Sequence, residues 1–263
     1  MHQPINELWD SRSLLFKMAQ RDINSKYYGL AFGLIWATAT PMVLMGAYWY
    51  VLGRLMKASW PDIPHERYPL LLFIGIVVYV YFSEVIGRAP YLIESHKTYV
   101  KKVVFPLGIL SGITTISACF HLLISLGILF AMQMILGQPT PLAWISVPLI
   151  VAPLLLMCLG LSWVISSLSV YIRDMQQVIP LLVTVAMFLS PIFFPMSGLP
   201  PKVQFLFYLN PVTVPVEQLR LAVIFGQWPD APLLFIYWSA AIAVLLVGSA
   251  WFAFTKKGFA DVL

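Results

Sequence analysis

From Val103 to Ile172 the chain passes seventy residues without one Asp, Glu, Lys or Arg, and His121 is the only imidazole among them. A hydrocarbon core of about 30 Å is crossed by roughly 20 helical residues, so a run of this length suits two crossings. It is interrupted at Gly137-Gln138-Pro139-Thr140-Pro141. Prolines so close together remove backbone hydrogen bonds that lipid cannot replace, which sets the break at a membrane surface. The run is therefore expected to be a helical hairpin. Lys97, Lys101 and Lys102 stand at its entrance and Arg173-Asp174 at its exit. Positive residues favour the cytosolic side, which puts both feet of the hairpin there.

The remaining sequence extends this pattern to an all-α polytopic membrane protein with six transmembrane helices. Hydrophobic residues make up 60% of the 263 and charged ones only 10%, against about 25% in soluble domains. Spans are expected near 31–53, 70–88, 107–136, 146–171, 178–196 and 233–254, making 31–263 the transmembrane domain. Residues 1–30 are a separate element, with Leu8, Trp9, Leu14, Leu15, Met18 and Ile23 at roughly helical spacing and Arg12, Lys17, Arg21 and Lys26 interleaved. That composition predicts an amphipathic helix lying at the interface, with a plain solvated helix as the alternative. No cleavable signal peptide is expected. Between Lys202 and Glu217 an uncharged stretch interrupted by Asn210-Pro211 is too short to cross. It is expected to form short re-entrant helices within an outer segment, 197–232. Eleven of the 16 Lys and Arg then fall on the cytosolic side and five outside, so both termini are expected in the cytosol.

The function classes excluded are as informative. The net charge of +5 is spread over loops, so it marks topology and gives no nucleic-acid footprint. No Gly-Lys dipeptide occurs, so the loop that cradles nucleotide phosphates is missing. His2, His65, His96 and His121 are scattered, and no cluster has metal-ligand spacing; no metal and no catalytic residue are expected. Cys119 and Cys158 are expected to be small buried apolar side chains. Within the membrane, Glu84 and Arg88 share a helical face four residues apart and are expected to pair at the cytosolic boundary. His121 is either a relay or ligand group or a neutral imidazole bonded to a neighbouring helix.

Ion-driven carriers place charge at the midplane, and here there is almost none. The spans hold aromatic rings instead. Trp36, Tyr48, Trp49, Tyr50, Tyr79, Tyr81 and Phe82 are candidates to line a path for a polymer, with interfacial anchoring as the competing role for any single ring. A chain with no energy source of its own must draw work from a cytosolic partner. Its longest inner loop, 89–106, offers Glu94, Lys97, Lys101 and Lys102 for charged contacts and Phe105 and Pro106 for packing. On the outer side Glu217 and Arg220, three apart, are expected to form a pair in a gate with Asn210 and Pro211, a simple interfacial helix being the competing reading of this segment.

These residues together resemble one family, the membrane subunits of bacterial ABC exporters that move lipid-linked polysaccharides of the O-antigen or capsule type. The resemblance is carried by Arg21-Asp22 with Lys26-Tyr27, then Leu30, Gly33, Trp36 and Pro41, by Lys101-Lys102-Val103-Val104-Phe105-Pro106, by Arg173-Asp174, and by Ser190-Pro191-Ile192. Asn210-Pro211 with Arg220, and Lys257 with Phe259-Ala260, complete it. It implies a homodimer in the bacterial inner membrane with a conduit between protomers. It also implies two copies of a cytosolic ATPase that carries the ATP and Mg, this chain having no cofactor. Coupling to that ATPase would fall to Arg21, Asp22, Glu94, Lys97, Lys101, Lys102, Phe105, Pro106, Arg173 and Asp174. Two other readings share parts of the pattern. One is an ABC permease for a drug, a lipid or a teichoic-acid-like polymer. The other is a membrane-embedded transferase, whose only foothold is Asp62-His65-Glu66.

Overall fold

A computed structural model describes residues 3–27, 35–56, 60, 63, 67–100, 105–135 and 141–262. Among these the secondary structure is helical, with no strand. A short helix α1 (Pro4–Asp10) leads into α2 (Arg12–Tyr27), then α3 (Ile35–Tyr48), which continues as a π-helical segment Trp49–Leu55. The body follows with α4 (Tyr68–Arg88), α5 (Ile109–Ile135), α6 (Val147–Tyr171) and α7 (Met175–Phe188). Two short helices, α8 (Pro201–Tyr208) and α9 (Thr213–Val223), precede the long α10 (Ala231–Thr255).

Proline punctuates these starts. It occupies the first turn of α1, α4, α6, α8 and α10, where its fixed φ suits the helix and its missing N–H costs nothing. Asp230 caps α10, its Oδ1 accepting from the Leu233 N–H at 3.1 Å. The turn after α9 passes through Gly226 at φ 65°, the left-handed region that favours glycine.

Five helices among the described residues, Ile35–Leu55, Tyr68–Tyr91, Ile109–Ile135, Val147–Tyr171 and Ala231–Gly258, are long and apolar enough to cross a membrane. The segment expected at 178–196 is different. Its helix is α7, 14 residues and hence about 21 Å long, and it stops at Phe188. Ser190-Pro191 and Pro195 then bend the remaining apolar residues into an irregular path. Ile192 is buried there against α4, where a Cβ on Gly75 would lie 2.9 Å from its Cγ2. The apolar stretch is as long as expected; its second half packs on α4 instead of extending the helix. The break at Gly137–Thr140 lies outside the described residues.

α4 is the hub. Leu71, Phe73, Ile74, Val78, Tyr81 and Val85 are all buried along its length, packed among α5, α6, α7 and α9. α6 and α10 cross so closely that a Cβ on Gly248 would sit 2.3 Å from the Gly160 carbonyl oxygen, the small-residue contact by which membrane helices bring their backbones together. Cys158 is fully buried and Cys119 partly so, both as free thiols.

Candidate functional site

One end of the bundle is organised by three i, i+4 polar pairs on three helices: Asp22 and Lys26 on α2, Glu84 and Arg88 on α4, Ser117 and His121 on α5. Residues four apart share a helical face, and the packing of α2 and α4 on α5 turns the three faces toward one another. The Arg88 guanidinium donates to both oxygens of Asp22, Nη1 to Oδ2 at 2.9 Å and Nη2 to Oδ1 at 2.8 Å, the bidentate geometry that makes such pairs strong. Lys26 donates to Glu84 and lies 3.4 Å from Ser117 Oγ. His121 bonds Glu84 through Nδ1 at 2.7 Å and the Tyr27 hydroxyl through Nε2 at 2.6 Å. Burial alone would raise the Asp22 carboxyl, but Arg88, Ser117 and Lys26 together hold it below its ordinary value.

Glu84 and Arg88 were expected to pair with each other. They approach to 4.0 Å, but the main partner of each lies on another helix, because a charge reaching out from α4 meets α2 and α5 before it meets its own next turn. His121 is the imidazole bonded to neighbouring helices. Lys26, Tyr27 and Ser117 were not among the expected site residues. For Ser117 the signal was present, a hydroxyl four residues before His121 inside an apolar helix, and Lys26 stands four residues after Asp22 on the amphipathic α2.

Below this cluster, residues 89–100 fold as short turns, Ala89–Tyr91 and Glu94–His96, and a helical turn Lys97–Val100. They dock on the connection between α6 and α7. The Tyr91 hydroxyl donates to the Gln176 carbonyl at 3.0 Å, and the Gln176 amide donates to Glu94. Lys97 lies 3.2 Å from the Glu94 carboxylate, and Gln176 and Lys97 hold that carboxyl below its usual value. Glu94, Lys97 and Arg173 line one small cavity of about 50 Å³ with Pro90, Ser169 and Val170. Asp174 begins α7 beside them and is exposed. Phe105 stacks on Tyr99, with centroids 4.5 Å apart, and the Pro106 carbonyl accepts from the Ile109 N–H at 3.1 Å as α5 begins. A cavity of about 300 Å³, lined by Arg21, Asp22, Arg88, His96 and Tyr99, joins this surface to the ionic cluster. Lys101 and Lys102 lie outside the described residues.

At the opposite end the expected gate residues are tied down. Asn210 donates to the Ala186 and Leu189 carbonyls at 2.7 and 3.0 Å, capping the last turn of α7 from another element. The Pro211 carbonyl accepts from the Tyr237 hydroxyl at 2.8 Å. Arg220 is only 3% exposed. It does pair with Glu217, at 2.9 Å, yet it also donates to the carbonyls of Pro191, Ile192 and Leu71 and lies 4.5 Å from the Trp60 ring centre. The guanidinium thus gathers the irregular 190–192 stretch, α4 and α9 into one joint. Gln218, not singled out in the sequence, accepts from the Asp230 N–H at 2.7 Å and braces the start of α10.

The aromatic residues separate into groups. Trp36, Trp49 and Tyr50 are exposed along the first span. Tyr48 meets Phe193, with centroids 5.1 Å apart, and Tyr79 donates to the Val183 carbonyl at 3.3 Å. Tyr81, at 1% exposure, and Phe82 are core residues, on the buried face of α4, whereas Tyr79 is partly exposed.

The model of the ABC-2 type transporter family matches residues 13–224, from α2 through α9 and therefore across all three regions just described. The chain belongs to the ABC-2 type transporter family. As a multi-pass membrane protein of this family it is similar along nearly its whole length to curated transporters. It is 23% identical to an O-antigen export system permease protein of Myxococcus xanthus, covering 98% of each chain. It is 22% identical to a protein of the same description from Klebsiella pneumoniae, covering 95% of each. A polysialic acid transport protein of Escherichia coli is 22% identical over 88% of each. Among the described residues of this transporter no group of three or more His, Cys, Asp and Glu is placed to hold a metal ion.

Proposed function

We propose that this chain is the transmembrane subunit of an ATP-driven exporter that moves a lipid-linked polysaccharide of the O-antigen or capsule type outward across the bacterial inner membrane. Two copies form the conduit and a separate cytosolic ATPase supplies the work. The observation that carries this reading is the end-to-end similarity to permeases named for O-antigen and polysialic acid export, in a chain without a phosphate-binding loop. Both termini then face the cytosol, in accord with the excess of Lys and Arg on that side.

The geometry supports this division of labour. Glu94, Lys97 and Arg173 converge on one surface with Asp174, which suits a charged contact to the ATPase, and Arg21 and Asp22 connect it through α2 to the ionic cluster. Lys101, Lys102, Phe105 and Pro106 belong to the same proposed coupling segment. The second copy would pack against exposed apolar faces such as those of Trp36, Trp49 and Tyr50 on the first span and Leu181, Leu182 and Phe188 on α7. Asn210, Pro211, Glu217 and Arg220 form the outer end that the polymer passes. Deleting the gene from its own host is expected to abolish surface polysaccharide while lipid-linked polymer accumulates on the cytosolic side. Unchanged surface polymer in the deletion strain contradicts the reading.

A further inference from the structure

The N-terminal helices are seated on the bundle by unusually close contacts. The Glu7 carboxylate accepts from the Gly108 N–H at 2.9 Å and from Lys256. Trp163, fully buried, donates through Nε1 to the Gly108 carbonyl at 3.0 Å. A Cβ on Gly108 would lie 2.7 Å from Glu7 Oε2, and one on Gly112 2.5 Å from Leu8 Cδ2, so glycine is what lets α1 and α2 come this near. Seated there, the two helices form one wall of a groove of about 780 Å³ whose other wall is α6 and α10. That volume is within the range of about 300–1,000 Å³ typical of small-ligand sites.

The lining is apolar, with Leu8, Leu15 and Phe16 on one side and Leu156, Leu159 and Leu245 on the other. Polar groups, Asn6, Asp10 and Arg12, belong to the N-terminal wall alone. α6 and α10 are themselves spans, so the groove is open to hydrocarbon. Trp9 is 72% exposed and Phe16 62%, and aromatic side chains so placed are at home at headgroup depth. Arg12 is exposed, with its guanidinium 5.5 Å from the Trp9 ring centre and only Nη1 turned to the Trp9 carbonyl, at 3.4 Å, which leaves its other N–H groups to receive an anion. Lys17 and Arg21 continue the exposed basic side of α2, whereas its acid, Asp22, is already taken up by Arg88.

We propose that this groove is a binding site for one anionic membrane phospholipid, an acyl chain lying between α1–α2 and α6–α10 with its phosphate against Arg12. The lining shares no residue with the proposed coupling surface or with the candidate conduit rings, and the site does not depend on which cargo is exported. The lipid completes the wall between the interfacial helix and the spans, much as a core side chain would.

Native mass spectrometry of the purified full-length protein in detergent tests this, with phosphatidylglycerol, phosphatidylcholine and a polyprenyl phosphate as probes. Wild-type protein is expected to retain one phosphatidylglycerol per chain about tenfold more tightly than phosphatidylcholine. Arg12→Gln, an exposed change that leaves the fold alone, removes that preference, and Leu156→Trp, which fills the groove, removes the retained lipid altogether. Equal retention of the two phospholipids by wild type, unchanged retention in Arg12→Gln, or displacement of phosphatidylglycerol by the polyprenyl phosphate each overturns the proposal.

Discussion

The two ends of the molecule hold charge in opposite ways. At the end formed by α2, α4 and α5, Asp22, Lys26, Glu84, Arg88 and His121 share one half-buried network with Tyr27, in which Glu84 serves Lys26 and His121 while Asp22 serves Arg88. At the opposite end a single guanidinium is buried and bonded mostly to main-chain carbonyls. A network of side chains can redistribute its bonds when one member moves, because long side chains rotate at little cost. Carbonyls fixed by the fold cannot follow. The difference teaches that Arg220 is a joint, whereas the cluster of α2, α4 and α5 is the part of the bundle able to change partners, and it lies beside the proposed ATPase contact.

The largest effect is therefore expected at the joint. Arg220→Met removes the cation and leaves Glu217 and carbonyls of the 190–192 stretch without donors; breaking one side of a buried charge arrangement typically costs about 3–5 kcal/mol. The loss should appear as a collapse of the chemical-denaturation midpoint or of membrane accumulation, and Arg220→Lys should not restore it, since an ammonium does not span these acceptors. Glu84→Gln comes next, at roughly 1–3 kcal/mol, because both Lys26 and His121 lose their anion; the same unfolding assay checks it. Asp22→Asn should cost about 1 kcal/mol or less, since Arg88 is already 4.0 Å from Glu84 and can turn to it. If Asp22→Asn proves as damaging as Arg220→Met, the contrast between the ends is false. Glu217→Gln is expected to be the mildest, within about 0.5 kcal/mol, because Glu217 is partly exposed and the carbonyl bonds of Arg220 remain. The pH response sharpens the same contrast. Asp22 is held below its ordinary value, so its contribution is complete above about pH 4 and is lost as pH falls further. Hydrogen exchange of α2 should accordingly rise below about pH 4, with no change at α9 from this source.

Much of this was legible in the chain. The spans could be placed because a lipid-facing helix must be apolar for about 20 residues, and the uncharged run to Ile172 leaves little freedom. The Glu217–Arg220 pair followed from spacing, and the placing of Glu94 and Lys97 on one loop from the chain order; Arg173 was expected beside them only through the family resemblance. Other features depend on which helices become neighbours. Nothing local tells Arg88 to choose Asp22, sixty-six residues away, over Glu84. Nothing local tells the apolar residues after Phe188 to leave the helix, since Pro191 stops it but only Gly75 makes room for Ile192 on α4. Tyr81 and Phe82 show the same limit: a ring on a span reads alike whether it faces a lumen, lipid or the core, and the packing around α4 decides.

The most direct test of the account is transport by purified components. Proteoliposomes that hold this chain and its cognate ATPase should move a fluorescently labelled lipid-linked polysaccharide across the bilayer on addition of ATP and Mg. Vesicles lacking the ATPase, or lacking ATP, should move none. Equal transport by the chain alone would contradict the claim that this body is driven from a separate nucleotide-hydrolysing partner.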